Sequence, residues 1–321
     1  LLLILAPILV LGLSLFVGRY PHPVWMNPSI LGNDEIAQRL VFNLRLPRVI
    51  TAMLLGMSLS AAGGVMQMLF RNPLVEPGFL GVSQGAGFGA ALCIVFLTSN
   101  QLAIEGVATL FAVLGLILSY FFARRIRFGG WLLRLVLSGI AVSALFSAGL
   151  GILKYLADPN SQLQEIVFWL LGGLYSVTWK SLLYILPVVL IGLVVIYLMR
   201  WRLNLLSLED ETAFSLGVSV GRERTLLLAA AVAITAVVIS VAGIVGWVGL
   251  IIPHIARRLT GANAANFIPF SISLGGIFGI LCDDISRTLM AGEIPLGIIT
   301  SLIGALIFIF LMMKPNVQVK S

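Results

Sequence analysis

Three features of this 321-residue chain predict an all-α, polytopic membrane protein of about ten spanning helices. Hydrophobic residues make up 60% of it and charged residues only 10%, where a soluble domain is about a quarter charged. With a mean hydropathy of +1.08, that much apolar surface cannot be hidden in one water-soluble core, so the solvent is lipid. The apolar runs are also continuous rather than alternating, which disfavours a β-barrel. Finally, the net charge of +7 resides in cations at the ends of those runs. Head groups and topology explain cations there, and no basic run interleaved with aromatics points to nucleic acid.

The apolar runs fall at 1–17, 49–70, 78–98, 103–123, 131–153, 179–199, 225–243, 246–258, 266–284 and 296–313. The first is long enough for a signal-peptide core but lacks a small-x-small cleavage site before "GRYPHP". It is read as the first span, with any cytoplasmic leader outside this chain. The eighth is short and carries Pro253, which predicts a partial span. Between the fifth and sixth, residues 162–179 predict an interfacial helix broken at Gly172 and Gly173, with Trp169 and Trp179 at head-group depth. The longest polar connection, 200–224, predicts a short amphipathic helix over 208–216. Glu209, Asp210 and Glu211 suit the dipole of its first turn, and Gly217 supplies the stop. Ala213, Phe214 and Leu216 would then be exposed, either on a solvated loop or as a docking surface for a cytosolic partner.

With both termini inside, thirteen of the twenty Lys and Arg residues fall at inner ends, Lys314 and Lys320 among them. That distribution obeys the positive-inside rule. Arg45, Arg48 and Arg287 defy it, facing outward at the second and ninth spans. A weak echo also joins "SAAGGVMQMLFRNP" (60–73) to "SVAGIVGWVGLIIP" (240–253). The two lie five crossings apart, which implies opposite orientation, as in the inverted repeats of transporters.

Little in the chain suggests covalent chemistry. No G-x-x-x-x-G-K-[ST] is present to cradle a nucleotide. His22 and His254 are the two histidines, and no His/Cys/Asp cluster has metal-ligand spacing. His254 suits a packed helix end more than a path, and Cys93 and Cys282, both in apolar runs, suit inert packing. Asp283 and Asp284 fall near the end of the ninth span, where Asp284 can pair with Arg287 at i, i+3. An ion-coupled secondary transporter would need such an acid near the midplane. The fifth span carries Gly139, Ser143, Ser147 and Gly151 at four-residue spacing, which fits either tight helix packing or a path wall. Gly85–Gly89 and Gly275–Gly279 repeat that spacing and read as packing.

Five stretches taken together resemble one family. "LRLPR", "NPLVEPGFLGVSQGAG", "LEDETAFSLG", "GWVGLIIPHIARRL" and "EIPLGIITSLIGALIFIFLM" are similar to the FecCD-type permease subunits of type II ABC importers, from about Arg45 to Lys314. The family carries ferric siderophores, haem, cobalamin and, in some members, molybdate-type oxyanions. The resemblance implies ten spans per subunit, a permease homodimer in the bacterial inner membrane, two cytosolic ATPase subunits and a periplasmic binding protein. ATP and Mg would sit on the ATPase, leaving this chain no cofactor and no catalytic residue. It also implies that Arg45, Arg48 and Arg287 receive acids of the binding protein. Glu209, Glu211, Ala213, Leu216 and Gly217 match the coupling segment that fits the ATPase. Gly139, Ser143 and Ser147, with Gln84 of the third span, would then line the path. Selectivity is expected to reside in the binding protein, so cargo is not legible here.

Overall fold

The computed structural model describes residues 2–21, 24–290 and 292–313. Leu1, His22, Lys314 and Lys320 lie outside them. Helix α1 (Leu2–Ser14) opens the chain and is followed by two short antiparallel strands, β1 (Val17–Gly18) and β2 (Val24–Trp25), with Val17 opposite Trp25. The second span starts far earlier than its apolar run, because helix is continuous over Glu35–Leu69. Asp34 caps it, accepting from the N–H groups of Ile36 and Ala37. Helix α2 (Glu35–Arg39) passes through a π-helical turn, Leu40–Arg45, into α3 (Leu46–Leu69). Pro47, in the first turn of α3, offers no N–H to the ladder, and the wider turn ahead of it absorbs that loss.

The remaining helices are α4 (Val82–Phe96), α5 (Gln101–Arg125), α6 (Trp131–Leu156), α7 (Gln162–Leu171), α8 (Trp179–Leu198), α9 (Arg200–Leu206) and α10 (Asp210–Ser215). After them come α11 (Val220–Ala242), α12 (Val248–Thr260), α13 (Ala264–Thr288) and α14 (Leu296–Met313). Seven helical stretches among the described residues are long and apolar enough to cross a membrane, while α1 and α4 are apolar but shorter. Helix α12, at 13 residues, is about 20 Å long. Pro253 does not interrupt it; the break precedes it, at Gly243–Trp247, where Trp247 has φ +71°. For a bulky residue that conformation is strained, so the surroundings must hold it. The interfacial helix also ends earlier than its apolar run. Gly172 at φ +71° stops α7 at Leu171, and Trp179 instead opens α8, its Nε1 donating to the Phe42 carbonyl at 3.0 Å.

Helix α3 is the axis of the bundle, buried along nearly all of α3 and packed on α11, α12 and α13. Small residues let those backbones approach, since lipid supplies no hydrophobic drive between helices. Gly56 lies against the Gly275 carbonyl and Gly279, and Gly63 against Gly249. Ser60 Oγ donates to the Gly56 and Ser271 carbonyls at 2.7 and 3.0 Å. Gly85 and Gly89 bring α4 onto the Phe111 and Val107 carbonyls of α5. Both stripes are therefore packing surfaces, as their spacing predicts. The two echoing segments meet as well, with Gln67 Nε2 donating to the Gly249 carbonyl at 3.1 Å.

Candidate translocation path and the two ends of the bundle

A cavity of about 350 Å³ opens between α4, α6 and the α11–α12 break. Gln84 and Ser143 line it, together with Ser83, Glu76 and Gly246. The other two members of the expected path stripe lie elsewhere. Gly139 is buried against the turn at Phe79–Leu80, where a Cβ would come within 3.1 Å of Leu80 Cα, so its small size serves packing. Ser147 is exposed on the open face of α6 and does not reach this cavity. One helix face thus does two jobs.

Glu76 is the residue that sequence reasoning missed. It stands in the non-helical link between α3 and the 3₁₀ turn Pro77–Leu80, with its carboxyl near the backbone N–H of Trp247. Glu76 also lines a second cavity of about 660 Å³ with Trp247, Ile244, Leu171 and Gly297. The available signal was an acid flanked by prolines, "NPLVEP", between two apolar runs.

At one end of the bundle, the three arginines that defy the charge bias converge. They line one cavity of about 220 Å³ with Glu293 and Tyr175. The sequence predicts outward guanidinium groups; instead Arg45, Arg48 and Arg287 are only 7%, 8% and 8% exposed. Each already has partners within the chain. Arg48 Nε meets Asp283 at 2.8 Å, and its Nη1 meets both oxygens of Glu293 at 2.7 and 2.8 Å. Arg287 pairs with Asp284, as i, i+3 spacing predicts, and with Asp283 at 3.5 Å, while donating to the Ser14 carbonyl at 2.7 Å. Arg45 donates to the Leu15 carbonyl at 3.0 Å. The physical reason is desolvation: a guanidinium keeps its charge when buried, so the lost water must be replaced by acids, as for Arg48 and Arg287, or by a carbonyl, as for Arg45.

At the other end lies the 200–224 connection. Its acidic helix is α10, shorter than 208–216 and preceded by α9. Gly217 follows with φ +79°, supplying the stop that the sequence predicts. Phe214 and Leu216 are exposed, as are Glu209 and Glu211, but Ala213 is fully buried against the bundle. A six-residue helix shows one face to solvent, and Ala213 is on the other. Asp210 clamps the helix to α11 through Arg224 at 2.8 Å, and Arg224 lies over the Trp131 ring of α6. The hydrogen bond from Arg224 holds the Asp210 carboxyl below the usual carboxylate range. Arg71, just past α3, donates to the Leu208 carbonyl, so this connection is tied to the central helix.

The family model of the FecCD transport family matches residues 3–314. The chain belongs to the FecCD transport family. This FecCD permease is 37% identical over 98% of its length to the molybdate import system permease protein MolB of Haemophilus influenzae, covering 94% of that relative. It is 39% identical to a probable iron chelatin transport system permease of Helicobacter pylori, over 88% of this chain and 86% of the other. The hemin transport system permease HmuU of Yersinia pestis is 36% identical over 86% and 84%. Among solved structures, an inward-facing ABC transporter of the metal-chelate type superposes with a TM-score of 0.90, at 37% identity over 98% of both chains. The protein is therefore a multi-pass membrane permease of an ABC importer, a transport component rather than an enzyme. Membership implies ATPase and substrate-binding partners, and it removes the ion-coupled secondary transporter.

Proposed function

We propose that two copies of this permease form the path of a bacterial inner-membrane importer for a metal-centred cargo. The cavity that joins Gln84 and Ser143 to Glu76 beside the α11–α12 break carries this reading. The arginine end faces the periplasm and receives the substrate-binding protein; both termini and the 200–224 connection face the cytoplasm, where two ATPase subunits dock. Glu209, Glu211, Leu216 and Gly217 form the ATPase contact, with exposed Phe214 as its apolar centre. Ala213, being buried, holds the segment rather than touching the partner. ATP and Mg reside on the ATPase, and the chain needs no cofactor of its own. Alternating access follows from the two ends: nucleotide moves α10, Arg224 and Arg71 pass that movement to α11, α6 and α3, and these helices frame the cavity.

Two cargo classes are supported by relatives. The iron-chelatin and hemin permeases favour a metal chelate, and the molybdate permease favours an oxyanion. The test is uptake into proteoliposomes holding permease, ATPase and binding protein, with radiolabelled ferric siderophore, haem, cobalamin and molybdate compared. ATP-dependent accumulation of one cargo, abolished without the binding protein, is expected. Accumulation without ATPase would overturn the reading.

A further inference from the structure

We infer that Glu293 is an internal placeholder: it occupies Arg48 in the free permease and is displaced by a carboxylate of the incoming binding protein. This inference rests on the reading that the arginine end receives that partner.

Charge balance is the first reason. The three guanidinium groups of Arg45, Arg48 and Arg287 are matched by three carboxylates, Asp283, Asp284 and Glu293. A cluster balanced in this way gains little from a fourth acid unless one of its own leaves. Exposure then decides which one. The Asp283 side chain is fully buried and that of Asp284 is 15% exposed, whereas Glu293 is 43% exposed and lines the open cavity. Glu293 can also leave without moving the backbone beside it. The Ile294 N–H donates to the Ser286 carbonyl at 3.1 Å and the Ser286 hydroxyl donates back to Ile294, so the next residue is fastened to α13. A side-chain rotation therefore suffices. Finally, the cluster has donors to spare. Arg287 Nη1 is buried with no hydrogen-bond acceptor, so a carboxylate entering this cavity would find an unmet N–H group as well as the vacated Nη1 of Arg48.

Nanodisc-embedded permease–ATPase complex supplies the test, in wild-type form and as Glu293→Gln, Glu165→Gln and Asp283→Asn. Two quantities are read: the rate at which phenylglyoxal modifies Arg48, followed by peptide mass spectrometry, and the affinity for the binding protein. Gln keeps the hydrogen bond and removes the charge. Glu293→Gln should therefore label about two- to fivefold faster and bind the partner tighter by a similar factor, the worth of one partly exposed ion pair. Glu165→Gln removes an acid that lines the adjoining cavity without touching Arg48, and it should leave labelling unchanged. Asp283→Asn should lower thermal stability, whereas Glu293→Gln should not. Unchanged or weaker association of Glu293→Gln, with wild type binding normally, would overturn the inference alone. If wild type itself binds no binding protein at this end, the docking reading fails and takes the inference with it.

Discussion

Asp283 offers the sharpest stability prediction. Its carboxylate is fully buried and serves two cations at once, Arg48 Nε at 2.8 Å and Arg287 Nε at 3.5 Å. Replacing it with Asn removes the charge, keeps the volume, and leaves both side chains, 10% and 7% exposed, short of one counterion. Breaking a buried pair from one side costs about 3–5 kcal/mol. Arg48 retains Glu293 and Arg287 retains Asp284, which places the expected loss near the lower bound, about 3 kcal/mol. With about 2–4 °C per kcal/mol for domains of 150–250 residues, the melting temperature should fall by roughly 6 °C or more. The assay is thermal unfolding of purified protein in nanodiscs, with Arg39→Ala as reference, because Arg39 makes only an exposed i, i+4 pair with Glu35. Arg39→Ala should melt with wild type. If Asp283→Asn melts there too, the cluster at the arginine end is not an ion-pair lock, and the burial argument is wrong.

At the other end, Gly217 has φ +79° and open space around its missing Cβ, so any effect there is conformational rather than steric. Gly217→Val should cost about 1–2 kcal/mol locally and uncouple ATP hydrolysis from transport, while Gly217→Asn, tolerant of that region, should keep most activity. Wild-type coupling in the Val variant would count against the segment. Along α6, Gly139→Val should destabilise by about 1–3 kcal/mol through overpacking on Leu80, read as lost folded yield. Ser143→Cys should instead fold normally and react with an impermeant thiol reagent in only one nucleotide state; equal labelling in all states would remove Ser143 from the path. The pH response of the 200–224 connection follows from Asp210. Its folded pKa is depressed, so the clamp on Arg224 contributes at pH values above the ordinary carboxylate value of about 3.9 and is lost as pH falls through the folded value. Hydrogen exchange over 207–217 should therefore accelerate only below about pH 4.

The helices were legible because their signal is local. Each apolar run in the chain became helix, and Gly217, Gly85–Gly89 and Gly275–Gly279 behave as their immediate neighbours predict. What failed was long-range. The partners of Arg48 lie 235 and 245 positions away, and no periodicity links Asp283 or Glu293 to "RLPR". Read alone, three cations against the topological bias look outward; read with their acids, they form a charge-balanced cluster in which Glu293 is the most exposed member. Gly139 failed for a related reason. Its helix face is correct, but the turn at Phe79–Leu80, which decides whether that face meets a cavity or a backbone, arrives from a non-helical link that carries no pattern.

That link gives the two ends of the molecule a common middle. The strap after α13 carries Glu293 and runs into α14, whose first turn holds Gly297; its N–H donates to the Gly172 carbonyl at 3.3 Å and its Cα packs on the carbonyls of Leu171 and Ile244. Ile244, in the α11–α12 break, lines both cavities, and the break ends at left-handed Trp247, near the Glu76 carboxyl. Glu76 follows the short link from α3 and Arg71, which is tied to the 200–224 connection at Leu208. A glycine at 297 lets three backbone segments meet without a side chain between them, so a small displacement of the strap would be passed on rather than cushioned. Trp247, at φ +71°, stands at the start of α12 and lines the larger of these two cavities, and its neighbour Gly246 lines both. On the proposed function, carboxylate exchange at one end and nucleotide at the other both act on segments that meet at this break, so delivery and hydrolysis share one element.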